Sequence, residues 1–405
     1  MARIAFEIAE LVYGSTGLHR YTSGLLPALL RQNNGRHKFV LFSPAPIRAR
    51  THDILDFIVK TQGVSIKLFP YPPRIFEWLR HLWPILTLEH LTGSVDIVHT
   101  QGFTLLPPCK NAFTIISLHG ISPIRTPEHY STLFLARYKA HIRHLLNAAD
   151  YIIALTEDNR RAIVKLLGVP EECISVIPSG IDNIFHPYPN EEILQTLKTL
   201  NLRPHSFILY VGNLEHNKNI RILLEAFALL PASLKENYLL VLAGPGDPEA
   251  LGWIRLACDL KIEKRLRWVG YIPPHEIPLL MSGARLFLFP SFCEGFALPP
   301  LEAMACGCPV IVSNASSLPE TVGEGGIHIA VNDLNEWANT MNLVLTDDTL
   351  RKNLSERGQK RAREFTWEKT ANETISLYET LLSGGIDKAR SIWPKQHRKK
   401  YENSN

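Results

Sequence analysis

Two glutamates separated by seven residues, Glu294 and Glu302, stand out in this 405-residue chain, in the stretch SFCEGFALPPLEAMACGCPV from Ser291 to Val310. A carboxylate accepts hydrogen bonds from vicinal hydroxyls, and a pair of carboxyls also suits acid/base work; spacing alone leaves both readings open. Phe287 to Pro290 reads as the end of a buried strand, and Gly295 permits a sharp turn after it. Pro299 and Pro300 fit the first turn of a helix, where a missing N–H costs little, and Leu301 to Cys306 continues that helix. Glu294 then falls in the loop before the helix and Glu302 in its first turns. Both face the crevice at the carboxyl end of a strand, where open α/β sheets bind ligands. The N–H groups of Phe296, Ala297 and Leu298 lie at the helix start, a place that favours an anion such as phosphate. A hydroxyl-rich group and a phosphate are the expected ligands.

Such a loop needs a sheet behind it, and the chain supplies strand patterns in two series. Arg3 to Ile8, Lys38 to Phe42, Val64 to Leu68, Val95 to His99, Thr114 to Leu118, Tyr151 to Leu155 and Ser175 to Pro178 form the first. Gly14 to Gly17 is a glycine turn ahead of a helical pattern from His19 to Arg31, and Leu133 to Asn147 reads as a helix with a basic, solvated face. The second series is Phe207 to Val211, Tyr238 to Ala243, Leu266 to Val269, Ala284 to Pro290 and Val310 to Ser313, with helices at Ile220 to Leu230 and Trp367 to Leu382. Strands alternating with helices predict an α/β protein with two Rossmann-like, doubly wound parallel sheets facing across a cleft. The expected domains are 1–185 and 186–366. A helix at 367–383 should pack back on the first domain, followed by a basic tail over 384–405 in which Lys388 to Lys400 reads as frayed. Phe185 to Pro204, with Pro187, Pro189 and Pro204 and with Pro178 just upstream, reads as the linker. The aromatic, basic segment 71–91 is read as a core-facing helix, with a surface helix meeting lipid as the other reading.

Composition narrows the class. Hydrophobic content of 45% and charged content of 20% describe a globular protein. No apolar run approaches the roughly 20 residues needed to cross a bilayer, and MARIAFEIAE reads as a first strand rather than a signal peptide, so a cytoplasmic protein is expected. Residues 1–185 carry 19 Lys+Arg against 14 Asp+Glu, whereas residues 186–405 carry 24 against 25. That excess is too small and dispersed for nucleic acid, and it leaves contact with an acidic lipid surface open. The six cysteines are scattered, which fits a reducing compartment. Cys306 and Cys308 lack a second ligand pair for a metal and read as small buried residues.

With the Glu294–Glu302 block, the stretches FILYVGNLEHNKNI, PSGID and SLHG occur in the same chain. Together these resemble the retaining glycosyltransferases of family 4, with the GT-B fold, over nearly the whole length and in the correct order. The resemblance implies transfer of a sugar from a nucleotide-sugar to an acceptor hydroxyl, with retention at the anomeric carbon. It implies that Glu294 binds donor sugar hydroxyls, that Glu302 holds the ribose, and that Lys218 neutralises the diphosphate leaving group. His119 matches the family histidine next to the donor sugar, and Gly17 the glycine near the β-phosphate. Gly212, Asn213, Tyr271 and the backbone from Gly295 through Phe296, Ala297 and Leu298 complete the expected donor contacts.

This chain departs from the family in two places. Asn213 and Asn217 stand where many relatives carry an arginine, with His216 and Arg221 as alternative cations nearby, and Ala297 replaces a commoner glycine. No D-x-D occurs, so neither metal nor other cofactor is expected beyond the nucleotide-sugar substrate. No carboxylate pair has the look of a covalent nucleophile site. A front-face substitution assisted by the departing diphosphate is the expected chemistry. GDP-mannose is the first donor reading, with UDP-glucose or UDP-N-acetylglucosamine as others, and the expected partner is a saccharide or lipid-linked saccharide acceptor. The competing classes are a nucleotide-sugar-binding protein without turnover and a phosphorylase on the same fold.

Overall fold

The structure is a computed structural model that describes residues 1–13, 17–43, 61, 63–68, 87–102, 109–246 and 248–394. The expected turn at residues 14–16, the aromatic segment as far as residue 86 and the tail from 395 lie outside the described residues. The chain divides into two compact units. One holds Met1–Ile124, Thr132–Gly180 and the chain from Thr366; the other holds Arg125–Ser131 and Ile181–Phe365.

In the first unit the strands are β1 (Arg3–Glu7), β2 (Lys38–Ser43), β3 (Val64–Leu68), β4 (Ile97–Thr100), β5 (Phe113–Leu118), β6 (Tyr151–Ala154) and β7 (Ile174–Val176). They form one sheet in the order β3-β2-β1-β4-β5-β6-β7, with every pairing parallel. β4 and β5 are buried throughout, as expected of central strands covered on both faces. The strand order reverses between β1 and β4.

The second unit repeats the plan. Its strands β8 (Phe207–Val211), β9 (Leu239–Ala243), β10 (Leu266–Gly270), β11 (Leu286–Phe289), β12 (Val310–Ser313) and β13 (Ile327–Ile329) run parallel in the order β10-β9-β8-β11-β12-β13. The reversal falls between β8 and β11, so the loops leaving these neighbouring strands flank the switch point where doubly wound sheets bind ligands. Phe287, Leu288, Val310 and Ile311 are fully buried there, and Cys306 and Cys308 belong to the same core.

Two expectations need correction. Phe185 to Pro204 is not an open linker, because Asn190–Thr199 forms a helix with Pro189 at its N-cap and with Ile193 and Leu197 completely buried. The prolines lie outside the helix rather than within it, and Ile193 and Leu197, one turn apart, give it an apolar stripe. The tail is ordered further than its charge suggested. Ile386–Ile392 is helical, Ala389 and Trp393 are buried, and Arg390 donates to the carbonyls of Asn111 and Ala112 at 3.4 and 3.3 Å.

The helix Trp367–Thr380 packs against the helix Gly17–Asn33 inside the first unit. Gly24 makes that approach possible, since a methyl group there would sit 2.0 Å from Trp367 Cε2. Thr370 Oγ1 donates to Pro178 O at 2.8 Å, and Arg36 pairs with Glu379 at 2.8 Å. Gly24→Ala should therefore destabilise the protein by about 1–3 kcal/mol through overpacking. The check is thermal melting of the variant, and an unchanged melting temperature would contradict this account of the helix contact.

Candidate active site

Four turns of the second unit converge on one ion pair. β8 ends at Val211, and the chain passes Gly212 and Asn213 into a short 3-10 turn, His216–Lys218. β11 ends at Phe289 and leads through Ser291 to Glu294. Lys218 Nζ donates to Glu294 Oε1 at 2.7 Å, with the side chains only 18% and 13% exposed. Each charge offsets the cost of removing the other from water.

The loops that carry the pair are fastened by backbone contacts. Phe292 N–H donates to Asn217 O at 3.0 Å, tying one loop to the other. Glu294 N–H donates to Ser316 Oγ at 2.8 Å, and Ser316 Oγ and Ser317 Oγ donate to Glu294 O at 3.2 and 3.0 Å. Ser316 lies in the left-handed region, with φ 50°. Beneath the first loop, Gly244 has φ +154°, and a Cβ there would lie 1.9 Å from Gly212 O. Only glycine lets the ends of β8 and β9 come so close. Tyr210 Oη donates to Asn213 O at 2.7 Å, and Trp253 Nε1 donates to Leu214 O at 2.9 Å.

After Glu294 comes the helix Leu298–Ala305, with Ala297 at its N-cap, no side-chain cap and prolines in its first turn. Pro299 and Pro300 carry no N–H, and the N–H of Leu298 at the helix start is not engaged by a capping side chain. Glu302 lies in this helix and is 2% exposed. Lys218, Glu294, Gly295, Phe296, Ala297, Leu298 and Glu302 therefore occupy one end of the second sheet, together with Gly212. Asn213 is exposed, and its Nδ2 donates to Glu215 Oε1 at 3.0 Å. Tyr271, just past β10, is 57% exposed. The alternative cations are otherwise occupied: Arg221 pairs with Glu225 at 2.7 Å, and His216 lies edge-on to Trp253 at 5.5 Å.

His119 and Gly17 belong to the first unit. Gly17 opens the helix Gly17–Asn33 and is exposed. His119 follows β5, with Tyr21 edge-on to its ring at 4.5 Å and Gln101 Oε1 3.3 Å from its Nε2. Burial holds its imidazole down at about 3, so it is neutral at ordinary pH. Next to it lies a polar cluster absent from the sequence reading. His99, fully buried, meets Tyr378 Oη through Nδ1 and Ser117 Oγ through Nε2 at 2.8 Å. Glu7 accepts from Thr100 Oγ1 and from Gln101 N–H. Burial, with the charge of Glu7, raises the Glu10 carboxyl to about 7. The alternating apolar look of Arg3 to Ile8 hid Glu7, since a lone acid in a strand carries no signal of its own.

Comparisons with known proteins place the chain in a family. The description "Glycosyl transferases group 1" matches residues 198–361, and "Glycosyltransferase Family 4" matches residues 15–183. The chain is 30% identical over 383 residues to O-antigen chain mannosyltransferase B of Escherichia coli, covering 94% of this chain and 100% of that one. It is also 30% identical over 291 residues to the serotype-specific mannosyltransferase WbdA of Escherichia coli, spanning 36% of that longer protein. Among solved structures, Anabaena Alr3699/HepE in complex with UDP and glucose superposes with a TM-score of 0.68 at 18% identity, over 94% of this chain and 100% of that one. WaaG, a glycosyltransferase involved in lipopolysaccharide biosynthesis, superposes with a TM-score of 0.67 at 17% identity, over 92% and 99%. The fold is that of the GT-B glycosyltransferases, and the relatives make the chain a glycosyltransferase. The chain belongs to glycosyltransferase family 4, the group 1 glycosyltransferases. Among the described residues no helix is long and apolar enough to cross a membrane.

The buried groups of the first unit give stability a pH dependence. Burial, and then the neighbouring His119, lower His99 to about 3. Between an unfolded value of about 6.5 and the folded one, the unfolded chain binds more protons, so stability falls as pH falls. Each histidine contributes on the order of 1.4 kcal/mol per pH unit in that window. Glu10 acts oppositely: its contribution is full below about 4.5 and is lost as pH rises through about 7. The loss should therefore steepen below about pH 4.5. Denaturant melts of wild type and His99→Gln between pH 7 and 4 check this; equal slopes in the two proteins would contradict it.

Proposed function

We propose that the protein is a retaining hexosyltransferase moving mannose from GDP-mannose to a hydroxyl of a saccharide or lipid-linked saccharide acceptor, in assembly of a surface polysaccharide or glycolipid. The mannosyltransferase relatives support the sugar. The UDP complexes of HepE support a UDP-sugar as the second donor reading. The basic excess of the first 185 residues suits an acceptor presented at the cytoplasmic face of a membrane.

One observation carries the reading: a largely buried lysine–glutamate pair at the switch point of a parallel sheet, joining the turn after β8 to the loop that enters an uncapped helix. Lys218 meets the diphosphate, since an ammonium has three donors and can turn from Glu294 to a phosphate oxygen. The N–H groups from Gly295 to Leu298 add donors at the helix start. Glu294 accepts from the sugar hydroxyls and Glu302 from the ribose. In the reaction, the anomeric C–O bond to the diphosphate breaks while the acceptor oxygen bonds on the same face. The acceptor proton passes to the departing phosphate oxygen. Lys218 counters the negative charge that accumulates there.

The test is transfer from GDP-mannose, UDP-glucose and UDP-N-acetylglucosamine to a panel of saccharide acceptors, with anomeric configuration read by NMR. Glu294→Ala and Lys218→Ala should each slow transfer by about 100-fold or more, the usual effect of losing one electrostatic contact at the reacting centre. Wild-type rates in either variant overturn the site. Binding of a nucleotide-sugar with no transfer to any acceptor favours the non-catalytic binding protein. Because Lys218 supplies the cation, activity should persist in EDTA, and loss of activity restored by a divalent ion overturns that assignment.

A further inference from the structure

Seven residues from the first half of the chain, Arg125–Ser131, pack with the second unit although the chain on either side of them belongs to the first. They form one 3-10 turn, Pro127–His129, after which Tyr130 returns to extended backbone. Two of their rings reach the loops that carry the ion pair. His129 stacks on Phe292, with centroids 4.3 Å apart and planes 19° from parallel. Tyr130 Oη accepts a hydrogen bond from Asn217 Nδ2 at 2.9 Å. Phe292 lies two residues before Glu294, and Asn217 immediately precedes Lys218.

Asn217 is thereby fixed twice, by Tyr130 on its side chain and by Phe292 N–H on its carbonyl. On the far side of Lys218, Asn219 adopts the left-handed conformation (φ 54°) and its Nδ2 donates to Val331 O at 3.0 Å. These asparagines are 5% and 8% exposed. A buried amide that loses its partner must find another or move towards water, so the bond to Tyr130 decides where the turn sits. Burial, together with the charges of Glu215 and Glu294, holds the Tyr130 phenol above the ordinary tyrosine range. The hydroxyl therefore stays protonated at working pH.

We propose that Tyr130 is a positioning residue for Lys218: it anchors Asn217, and through it the turn His216–Lys218, where the ammonium can meet a bound diphosphate. This inference rests on the donor-side role proposed for Lys218. It also gives Asn217 a function of its own, as a polar anchor for the neighbouring lysine.

The probes are GDP and UDP, titrated by calorimetry, together with steady-state kinetics on the donor that turns over. Tyr130→Phe keeps the ring and removes the acceptor. It should weaken binding of the preferred nucleotide about 5- to 10-fold, the scale of one lost hydrogen bond, and lower donor kcat/KM by at least as much, since Lys218 also counters the leaving-group charge. Asn217→Ser cuts the same bond from the other side, and the double variant should bind no more weakly than either single one. In a Lys218→Ala background, Tyr130→Phe should cost nothing further, a readout that simple loss of packing would not produce. Unchanged nucleotide affinity in Tyr130→Phe, or the same further loss without Lys218, overturns the positioning role alone. Unchanged affinity in Lys218→Ala overturns the donor-site reading and this inference with it.

Discussion

The second unit is arranged around the contact between Lys218 and Glu294. The two residues are 76 positions apart and meet at 2.7 Å with little exposure. Two charges so withdrawn from water are tolerated only where geometry is tight and surrounding groups take up the remaining hydrogen-bonding capacity. The sheet order provides the first condition, because β8 and β11 are neighbours only where the winding reverses. The fastening of the Glu294 backbone by Ser316 and Ser317, and of the Asn217 carbonyl by Phe292, holds the two loops in that geometry. Even the glycine at 244 serves the same end, since it lets the neighbouring turn lie flat against Gly212.

Much of this layout could be read in advance because parallel strands leave contiguous apolar runs. FILYV, LLVLA, LFLF and VIVS each announce a strand without help from periodicity. β13 went unread because it has three residues, IHI, with a histidine in the middle. The linker was misread for a different reason. Proline density normally marks irregular chain, but at Pro187 and Pro189 it marks the approach to a helix whose buried stripe is only Ile193 and Leu197.

The candidate site was legible in part. Glu294, Lys218 and Glu302 stood out from their motifs, and the structure gathers them at one end of the second sheet. The pairing of Lys218 with Glu294 was not legible, because composition and spacing do not say which of several loop charges will meet across 76 residues. The place of Tyr130 was hidden more deeply. RTPEHYS has the look of an ordinary turn, and its attachment to a unit whose remaining chain begins at Ile181 depends wholly on tertiary structure. Glu7, His99 and Gln101 escaped notice because single polar residues inside apolar strands resemble noise until their partners are seen.

Asn217 and Asn219 illustrate how geometry can hold a single charge in place. An arginine adds a second positive centre, but a long side chain in a loop must be ordered when its ligand arrives, at an entropic cost. Here the lysine is bracketed by two buried asparagines, each tied to a different element, and Glu294 already holds its ammonium. Much of the ordering is complete before any ligand enters. With the backbone already placed, only the ammonium has to turn from Glu294 to the phosphate, and a charge so held is worth more in a partly dry site than in water. On the proposed reading, one well-held cation replaces two mobile ones, and the weight of phosphate recognition shifts to the backbone N–H groups entering the Leu298–Ala305 helix. Those groups hold their direction through the covalent chain rather than through side-chain rotamers. A site built this way should depend less on the number of its positive charges than on the rigidity of the loops that aim them.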